Sequence, residues 1–259
     1  MTPVLSVIIV SFNARADLER CLESLHAAPP AAAHEIIVVD NGSTDGSADA
    51  VRRRQGVQLI EAGANLGFAR ANNIGIRAGR GANILLLNSD TIVTARAIDR
   101  LLAELDRDPG VAVVGPRLVD GAGRAELSFG RMIGPLNEFR QKRLLRGGTV
   151  EALTRQRQYP DWVSGACLLV RREDADAAGG LDERYFMYTE DVDFCAAIRA
   201  RGRKVLFAPE VEVVHLRGRS AASAPAATRE HYRRSQQAFY EKHHPVWAPL
   251  LRLCVRIFR

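Results

Sequence analysis

Three acidic residues lie within four positions of the chain, directly after an aromatic run. Glu190, Asp191 and Asp193 follow Tyr185–Tyr188, which reads YFMY. Acidic side chains are favoured at a helix N-terminus, so capping of a helix over 190–200 explains part of the pattern. Three acids beside apolar side chains exceed what capping requires, and a positioned carboxylate can take a proton from an attacking hydroxyl group. Asp191 is therefore the candidate general base, and Asp193 is predicted to be structural.

Asp90 is a second candidate, because it follows the apolar run Ile84–Leu87 at the expected end of a strand. A hard divalent cation such as Mg²⁺ or Mn²⁺ binds one or two carboxylates together with phosphate oxygens. The alternative is that Asp90 caps the helix that contains Ile98. The residue alone does not decide between a metal ligand and a helix cap.

His215 lies at the end of a further apolar run, just before two arginines. A histidine at a strand end can bind a metal ion or a phosphate, although a lone histidine is more often a hydrogen-bonded structural residue. Arg217 and Arg219 follow it and would meet a diphosphate. These three residues form a candidate anion and metal site.

Two further polar residues have positions that suit a nucleotide. Asp40 ends the run EIIVVD, where its carboxylate could accept hydrogen bonds from a base or a ribose, while the following NGSTDGS predicts an Asx turn and helix cap around Asp45 and Ser47. Arg70 lies in the small and polar segment 65–77 and is the best candidate there for an anion or base contact. An ordinary solvated loop and helix start is the alternative for that segment.

The elements that must position these residues alternate between strand and helix. The first half of the chain contains apolar runs of strand length, separated by segments with helical spacing such as Leu18, Cys21, Leu22 and Leu25. This alternation predicts an α/β fold with a mostly parallel sheet flanked by helices. Ligands of such sheets bind at the carboxyl ends of the strands. Polar residues follow three of the predicted strands, at 11–13, 40–41 and 88–90.

The second half is less regular. Residues 130–157 are basic with weak periodicity, which predicts a mobile surface segment. Strand character returns over 162–170, a short helix is predicted over 174–178, and two short strands over 204–207 and 211–214. A small-residue loop is predicted over 220–228.

Composition narrows the class of protein. The chain has 259 residues, 47% hydrophobic and 25% charged, as in a folded domain, and its formal charge of +6 favours anionic partners such as phosphates or a membrane surface. No pattern points to nucleic acid. Four dispersed cysteines, no signal-peptide pattern and no apolar run of about 20 residues predict a cytoplasmic protein, at most peripheral on the cytosolic face of the inner membrane.

Seven motifs occur in an order that resembles family-two inverting glycosyltransferases, particularly the bacterial rhamnosyltransferase-like branch. The resemblance extends from about residue 4 to residue 244, and the motifs are SVIIVSFN, VVDNGSTDGS, NLGFARANN, LLLNSDT, GACLLVRRE, TEDVDFC and VVHLRGRS. It implies a GT-A fold, a nucleoside-diphosphate sugar donor, a divalent metal (Mg²⁺ or Mn²⁺) and a single displacement with inversion. The sugar implied first is rhamnose from dTDP-rhamnose, moved to a glycan or lipid-linked acceptor in cell-surface polysaccharide synthesis.

The resemblance also implies residue roles. Asn88-Ser89-Asp90 stands where the family has a DxD motif, so the first acid is absent and Asp90 is the expected metal ligand, with His215 as its partner. Asp191 matches the family's base. The remaining roles are nucleotide binding for Ser11, Phe12, Asp40, Arg70 and Ser89, and acceptor binding for Trp162 and Glu190.

The expected organisation is a catalytic domain over 1–228, with a nucleotide-binding half to about 115 and an acceptor-binding half beyond it, and a basic amphipathic helical tail over 229–259. That tail could lie on an anionic membrane or pack against the catalytic domain. Two other functions stay open at this stage. One is a sugar-1-phosphate nucleotidyltransferase, whose glycine-rich N-terminal loop is missing here, and the other is a non-catalytic membrane- or glycan-binding module with a degenerate metal site.

Overall fold

A computed structural model of the protein describes residues 2–134, 137, 150–216 and 225–257, of which 225–227 and 253–257 are described by their backbone alone. The strands of the described residues are β1 (Leu5–Ser11), β2 (His34–Asp40), β3 (Val57–Glu61), β4 (Asn83–Asn88), β5 (Thr91–Val93), β6 (Val111–Val119), β7 (Phe129–Gly130), β8 (Trp162–Val163), β9 (Cys167–Arg171) and β10 (Lys204–His215). The helices are α1 (Arg15–Ala27), α2 (Ser47–Arg52), α3 (Phe68–Ala78), α4 (Ala97–Arg107), α5 (Val150–Leu153), α6 (Arg172–Ala178), α7 (Glu190–Arg199), α8 (Pro225–His243) and α9 (Ala248–Ile257).

Eight of these strands form one sheet in the order β3-β2-β1-β4-β9-β6-β10-β5. Pairing is parallel between β1 and β2, β1 and β4, β2 and β3, and β6 and β10, and it is antiparallel around β9 and β5. The predicted mixed, mostly parallel sheet flanked by helices is confirmed. The short strands β7 and β8 form a separate two-stranded ribbon.

The core lies on both faces of the sheet, because β1 is central and apolar throughout. Leu5, Val7 and Ile9 pack on one face with residues of α1 and α4, while Ile8 and Val10 pack on the other face with residues of α3 and α7. Alternate side chains of a strand point to opposite faces, so a run of apolar residues is what a strand covered on both sides requires. The carboxyl ends of β1, β2 and β4 then meet at one edge of the sheet.

Three local predictions are corrected. The two short strands predicted over 204–207 and 211–214 are one strand, β10, whose register with β6 shifts between Ala208 and Glu212. Pro209 lies inside this irregularity, where a missing backbone N–H is tolerated. Residues 225–228 of the predicted loop are helical, because α8 begins at Pro225, and proline suits the first turn of a helix. Residues 220–224 of that prediction lie outside the described residues.

The segment predicted as a mobile surface region is also partly structured. Gly130 pairs with Trp162 in the small ribbon, and the Met132 N–H donates to Asp161 Oδ2 at 2.8 Å. Residues 150–153 form α5. The rest of this prediction falls mostly on residues 135–136 and 138–149, which lie outside the described residues.

Candidate active site

The ends of β1, β2 and β4 place three polar side chains side by side. Ser11 is the register partner of Asp40, and Asn88 is the partner of Val10. Ser11 Oγ, Asp40 Oδ1 and Asn88 Oδ1 are buried and have no hydrogen-bond partner among the described residues. Most buried polar atoms in folded proteins are paired. Three unpaired ones at a strand-end edge therefore indicate a site for a polar ligand.

The two carboxylate oxygens of Asp40 differ, because one is bonded within a turn and the other is unpaired. Its Oδ2 accepts the Ser43 N–H at 3.0 Å, so the turn after β2 uses one carboxylate oxygen and leaves Oδ1 unpaired. The Asx turn predicted at Asp45 is confirmed, since Asp45 Oδ1 accepts the Ser47 N–H at 3.0 Å. The turn after β2 therefore involves Asp40 itself, through its Oδ2.

The loop after β1 is tied to the loop after β2. The Asn13 N–H donates to Ser43 Oγ at 3.0 Å, and the Thr44 N–H donates to Asn13 Oδ1 at 2.8 Å. Asn13 has a φ of 49°, a conformation that asparagine tolerates better than most residues. These bonds hold Phe12, whose side chain is 41% exposed, at the site edge. An exposed aromatic ring there offers a face for stacking.

Arg70 projects from the first turn of α3 and is also exposed. Its Nε lies 3.7 Å from Glu183 Oε2, a loose and solvated ion pair. Such a pair contributes little, so the guanidinium is free to exchange it for an anionic ligand. The neighbouring Asn73 is buried instead, and its Nδ2 donates to Leu181 O at 2.8 Å and Glu183 Oε1 at 3.1 Å.

Asp90 does not cap a helix. It is followed by β5, and α4 begins only at Ala97, so the helix-cap interpretation of Asp90 is wrong. Its Oδ1 lies 3.3 Å from His215 Nε2, and the Leu216 N–H donates to Asp90 O at 2.8 Å. The antiparallel pairing of β5 with the end of β10 brings these distant residues together.

A second carboxylate holds the other side of the His215 ring. Glu126 Oε2 lies 3.1 Å from His215 Nδ1. Burial acts to lower the pKa of His215, but the hydrogen bonds and charges of Asp90 and Glu126 outweigh it and raise the pKa to about 9. The segment 121–126 thus supplies an acid next to His215. Sequence patterns gave no indication of that pairing.

Two potential metal ligands meet here, but the described residues contain no cluster of three His, Cys, Asp or Glu side chains arranged to hold a cation. Mg²⁺ and Mn²⁺ commonly take only one or two protein ligands and complete their coordination with water and substrate phosphates. Asp90, His215 and the unpaired Asn88 Oδ1 nearby in sequence therefore fit a site that is completed by a diphosphate. Ser89, which lies between Asn88 and Asp90 in the chain, is partly exposed.

Glu190 and Asp191, called the acid pair below, are the first two residues of α7. Asp191 Oδ2 accepts the Gly165 N–H at 2.9 Å, and its Oδ1 accepts the Val192 N–H at 2.8 Å. Asp191 is partly exposed, whereas Glu190 is buried and its Oε2 has no partner in the described part of the chain. Burial raises the pKa of Asp191 against these hydrogen bonds, and burial together with the charge of Asp191 raises the pKa of Glu190 well above its usual range.

The backbone before the acid pair is in an uncommon conformation. Tyr188 and Thr189 have φ values of 72° and 65°. Non-glycine residues rarely adopt positive φ, and two in succession persist only where the surroundings enforce them. Capping explains little of this segment, since Thr189 makes no side-chain capping bond. The acid pair is therefore held in place by tertiary contacts.

A short chain of contacts joins the acid pair to the Asp90 segment. Gly165 donates to Asp191, and the next residue, Ala166, accepts the Asn88 N–H at 2.9 Å through its carbonyl. Trp162 lies at the start of the same segment, and its indole N–H donates to Arg131 O at 2.9 Å. The described bond of the indole is therefore structural.

Two contacts made by the segment 66–68 escaped the sequence analysis. Gly67 has a φ of 85°, and the Phe68 N–H donates to Phe186 O at 2.6 Å. Asn41 supports the same loop, because its Oδ1 accepts the Leu66 N–H at 2.9 Å. The nucleotide-side segment thus docks directly on the aromatic run that precedes the acid pair. The small residues of NLGFA are the signal that could have indicated it.

Arg217 and Arg219, the candidate diphosphate ligands, lie outside the described residues. The other predicted site residues fall into three described groups along the carboxyl-end edge of the sheet. Fold and site together indicate an α/β protein with a candidate site for a polar ligand beside the pair of acids Glu190 and Asp191.

Known proteins identify the class more closely. A sequence profile described as glycosyl transferase family 2 matches residues 6–176. A protein of Mycobacterium tuberculosis named N-acetylglucosaminyl-diphospho-decaprenol L-rhamnosyltransferase is 33% identical over 96% of this chain and 89% of its own length. This chain belongs to glycosyl transferase family 2, and it is a rhamnosyltransferase-like glycosyltransferase. Membership in this family argues against the two other functions considered from the sequence, a sugar-1-phosphate nucleotidyltransferase and a non-catalytic binding module.

Solved structures support the fold. The mannosyltransferase PcManGT of Pyrobaculum calidifontis, in complex with GDP-Man and Mn²⁺, superposes with a TM-score of 0.66 at 21% identity, covering 97% of this chain and 69% of that one. GalNAc-T7 with UDP, GalNAc and Mn²⁺ gives a TM-score of 0.62 at 19% identity, covering 82% of this chain and 44% of that one. The fold is GT-A, as the motifs implied.

Proposed function

We propose that this chain moves a sugar, with L-rhamnose from dTDP-rhamnose as the first candidate, to a hydroxyl group of a lipid-linked glycan with inversion at the anomeric carbon. The observation that carries the proposal is Asp191, a partly exposed residue whose carboxyl group is surrounded closely enough to raise its pKa and accepts the Gly165 N–H at 2.9 Å. The name of the M. tuberculosis relative supports both the sugar and the lipid-linked acceptor.

Asp191 acts as the general base. The acceptor oxygen attacks the anomeric carbon while its proton passes to the Asp191 carboxylate, and the bond to the diphosphate oxygen breaks with its electron pair. Burial raises the pKa of Asp191, so the carboxylate is a stronger base than a solvated aspartate. Glu190, which is buried beside it, contacts the acceptor. Trp162, at the start of the segment that carries Gly165, is the second acceptor contact.

The donor binds at the carboxyl ends of β1 and β2, on the other side of the site from the acceptor. Ser11 Oγ and Asp40 Oδ1, both buried and unpaired in the described chain, bind the nucleoside, and the exposed ring of Phe12 stacks on the base. Arg70 and Ser89 complete the nucleotide contacts. Arg217 and Arg219 are proposed for the diphosphate on sequence alone.

Asp90 and His215 would hold a divalent cation, Mn²⁺ or Mg²⁺, together with the donor's phosphate oxygens, and His215 would give up the proton on Nε2 when the cation binds. When bound, the cation supplies positive charge that offsets the negative charge developing on the leaving diphosphate. The protein's part is to keep Asp90 Oδ1 and His215 Nε2 close together, 3.3 Å apart. The Mn²⁺ complexes of PcManGT and GalNAc-T7 support the choice of metal.

The test is Asp191→Asn, with Asp176→Asn as the matched control because Asp176 is exposed on α6. We expect transfer by Asp191→Asn to fall at least about 100-fold, the usual contribution of a general base, with donor affinity within about twofold by calorimetry. Asp176→Asn should match the parent protein. Near-normal turnover of Asp191→Asn would show that the base is misassigned.

We further propose that the chain works at the cytosolic face of the inner membrane through peripheral contact of its C-terminal part. Val246, Trp247 and Leu250 expose 86%, 49% and 51% of their surface. Among the described residues no helix has the length and apolarity to cross a bilayer. Arg252 lies near this patch in sequence, and its Nε forms an exposed ion pair with Glu241 Oε1 at 3.4 Å, which anionic lipid would replace.

Flotation with phosphatidylglycerol vesicles tests the contact. The double variant Trp247→Ser, Leu250→Ser should lose most of its flotation. Tyr159→Ser removes a similarly exposed aromatic side chain elsewhere, 50% exposed, and should float like the parent. Equal flotation of all three proteins would rule out this patch as the membrane contact.

A further inference from the structure

Helix α8 lies along the strained segment that leads into the acid pair. The His231 ring stacks on Phe186 at 4.5 Å between centroids with an interplanar angle of 21°. Ser235 Oγ donates to Met187 O at 2.7 Å. One helix therefore contacts two of the residues immediately before Tyr188 and Thr189, whose φ values are positive.

The same helix reaches the first turn of α7 through a buried charge network. Asp193 is 2% exposed, and its Oδ2 lies 2.8 Å from Lys242 Nζ while its Oδ1 lies 2.6 Å from His243 Nε2. Tyr185 donates its hydroxyl to Asp193 Oδ1 at 3.3 Å, and Lys242 also binds Asp182 Oδ2 at 2.8 Å. Burial of a carboxyl group this deep is costly unless hydrogen-bonded partners of opposite charge, such as these, surround it.

Apolar contacts seal the interface. Phe239 is fully buried and Tyr240 nearly so, and both belong to a cluster that includes Tyr185 and Val192 of the acid-pair region. The boundary expected at residues 228 and 229 falls inside α8. This helix packs against the segment that carries the base, and α8 lies entirely beyond the residues matched by the family profile, 6–176.

We propose that α8 is a positioning element of the active site, in which Lys242 and His243 hold Asp193 and thereby keep Asp191 on the Gly165 N–H. Asp193 and Asp191 share the first turn of α7, so a shift of one moves the other. Tyr188 and Thr189 are kept in their unfavourable backbone conformation by contacts that α8 supplies. The inference rests on the proposed role of Asp191 as the base.

Lys242→Met tests it, because methionine keeps most of the aliphatic stem and removes the ammonium group. Lys204→Met is the matched control, since Lys204 also pairs with an aspartate, Asp108 at 3.2 Å, but does so at the start of β10, at the opposite end from His215. We expect the kcat of Lys242→Met to fall at least tenfold with donor Kd unchanged within twofold. Lys242→Arg should recover part of the loss, and Lys204→Met should keep the parent kcat.

A readout at the positioned bond separates alignment from general destabilisation. Exchange of the Gly165 amide proton, followed by NMR, reports whether Asp191 still accepts it. Lys242→Met should lose protection there at least tenfold, whereas Lys204→Met should not. All measurements are made where circular dichroism shows each variant fully folded. Should Lys242→Met not fold, Ser235→Ala, which removes only the bond to Met187 O, should show smaller changes in the same direction.

The outcomes separate the inference from the function on which it rests. If Asp191→Asn is inactive while the foldable α8 variant keeps the parent kcat and Gly165 protection, the positioning role of α8 is overturned and the base assignment stands. If Asp191→Asn retains turnover, the base assignment fails whatever Lys242→Met does. Loss of Gly165 protection and kcat together in the α8 variant, with Lys204→Met unaffected, supports the positioning role.

Discussion

Replacement of Gly67 by alanine tests how tightly the nucleotide side is docked on the acid-pair segment. Gly67 has φ 85° and ψ 168°, a region that costs a residue with a Cβ about 1–3 kcal/mol. The added Cβ would lie 2.5 Å from Phe186 O and 2.7 Å from Phe186 Cδ2. The carbonyl belongs to the backbone and already accepts the Phe68 N–H, so it cannot move away freely. Overpacking of this kind adds about 1–3 kcal/mol.

The expected loss in the free energy of unfolding is therefore about 2–6 kcal/mol, measured by urea denaturation. Gly56→Ala is the control, since Gly56 has a φ of 75° and no atom within 4 Å of the added Cβ. It should lose only about 1–2 kcal/mol, the cost of the backbone conformation. Transfer by the folded Gly67→Ala protein should also fall, because Phe186 lies four positions before Glu190. Equal losses in the two variants would refute the docking contact.

Three other perturbations have definite expected results. Burial and the charge of Asp191 raise the pKa of Glu190, so Glu190 makes the fold most stable below the ordinary glutamate pKa and less stable as pH rises towards the raised value. The melting temperature of Glu190→Gln minus that of the parent should therefore increase by about 2–4 °C from about pH 5 to about pH 8. A pH-independent difference would contradict this. Asp90→Asn should weaken Mn²⁺-dependent donor binding at least about tenfold in calorimetry, and an unchanged Mn²⁺ dependence would remove Asp90 from the metal site. Asn73→Asp places a carboxylate against Leu181 O and Glu183 Oε1 and should cost about 2–3 kcal/mol in urea unfolding, whereas a loss under about 0.5 kcal/mol would show that these bonds are dispensable.

Much of the fold could be predicted from local patterns. The apolar runs of β1, β2 and β4 and the helical spacing in α1 and α4 each depend on side chains a few positions apart, which a sequence displays directly. The strand ends then followed from the rule that parallel strands present their carboxyl ends at one edge. Asp40 and Asp90 were found in this way.

What escaped prediction depends on contacts between distant positions. β10 was divided in two because a register shift around Pro209 hides its continuity, and pairing with β6 is what defines it as one strand. The approach of Glu126 to His215 spans 89 positions, and that of Lys242 to Asp193 spans 49. No periodicity connects residues so far apart.

The three acids at the start of α7 show what the sequence determines and what only the tertiary structure determines. The sequence alone was sufficient to single out Glu190, Asp191 and Asp193, because three carboxylates beside an aromatic run exceed the needs of a helix cap. Only the tertiary structure gives each of them its own environment, since burial and hydrogen-bond partners come from other elements. Gly165 holds Asp191 at a partly exposed position, and Glu190 is buried with an unpaired oxygen. Asp193 is paired with Lys242 and His243 of α8. Basicity depends on desolvation and neighbouring charge, which the order of residues along the chain does not contain.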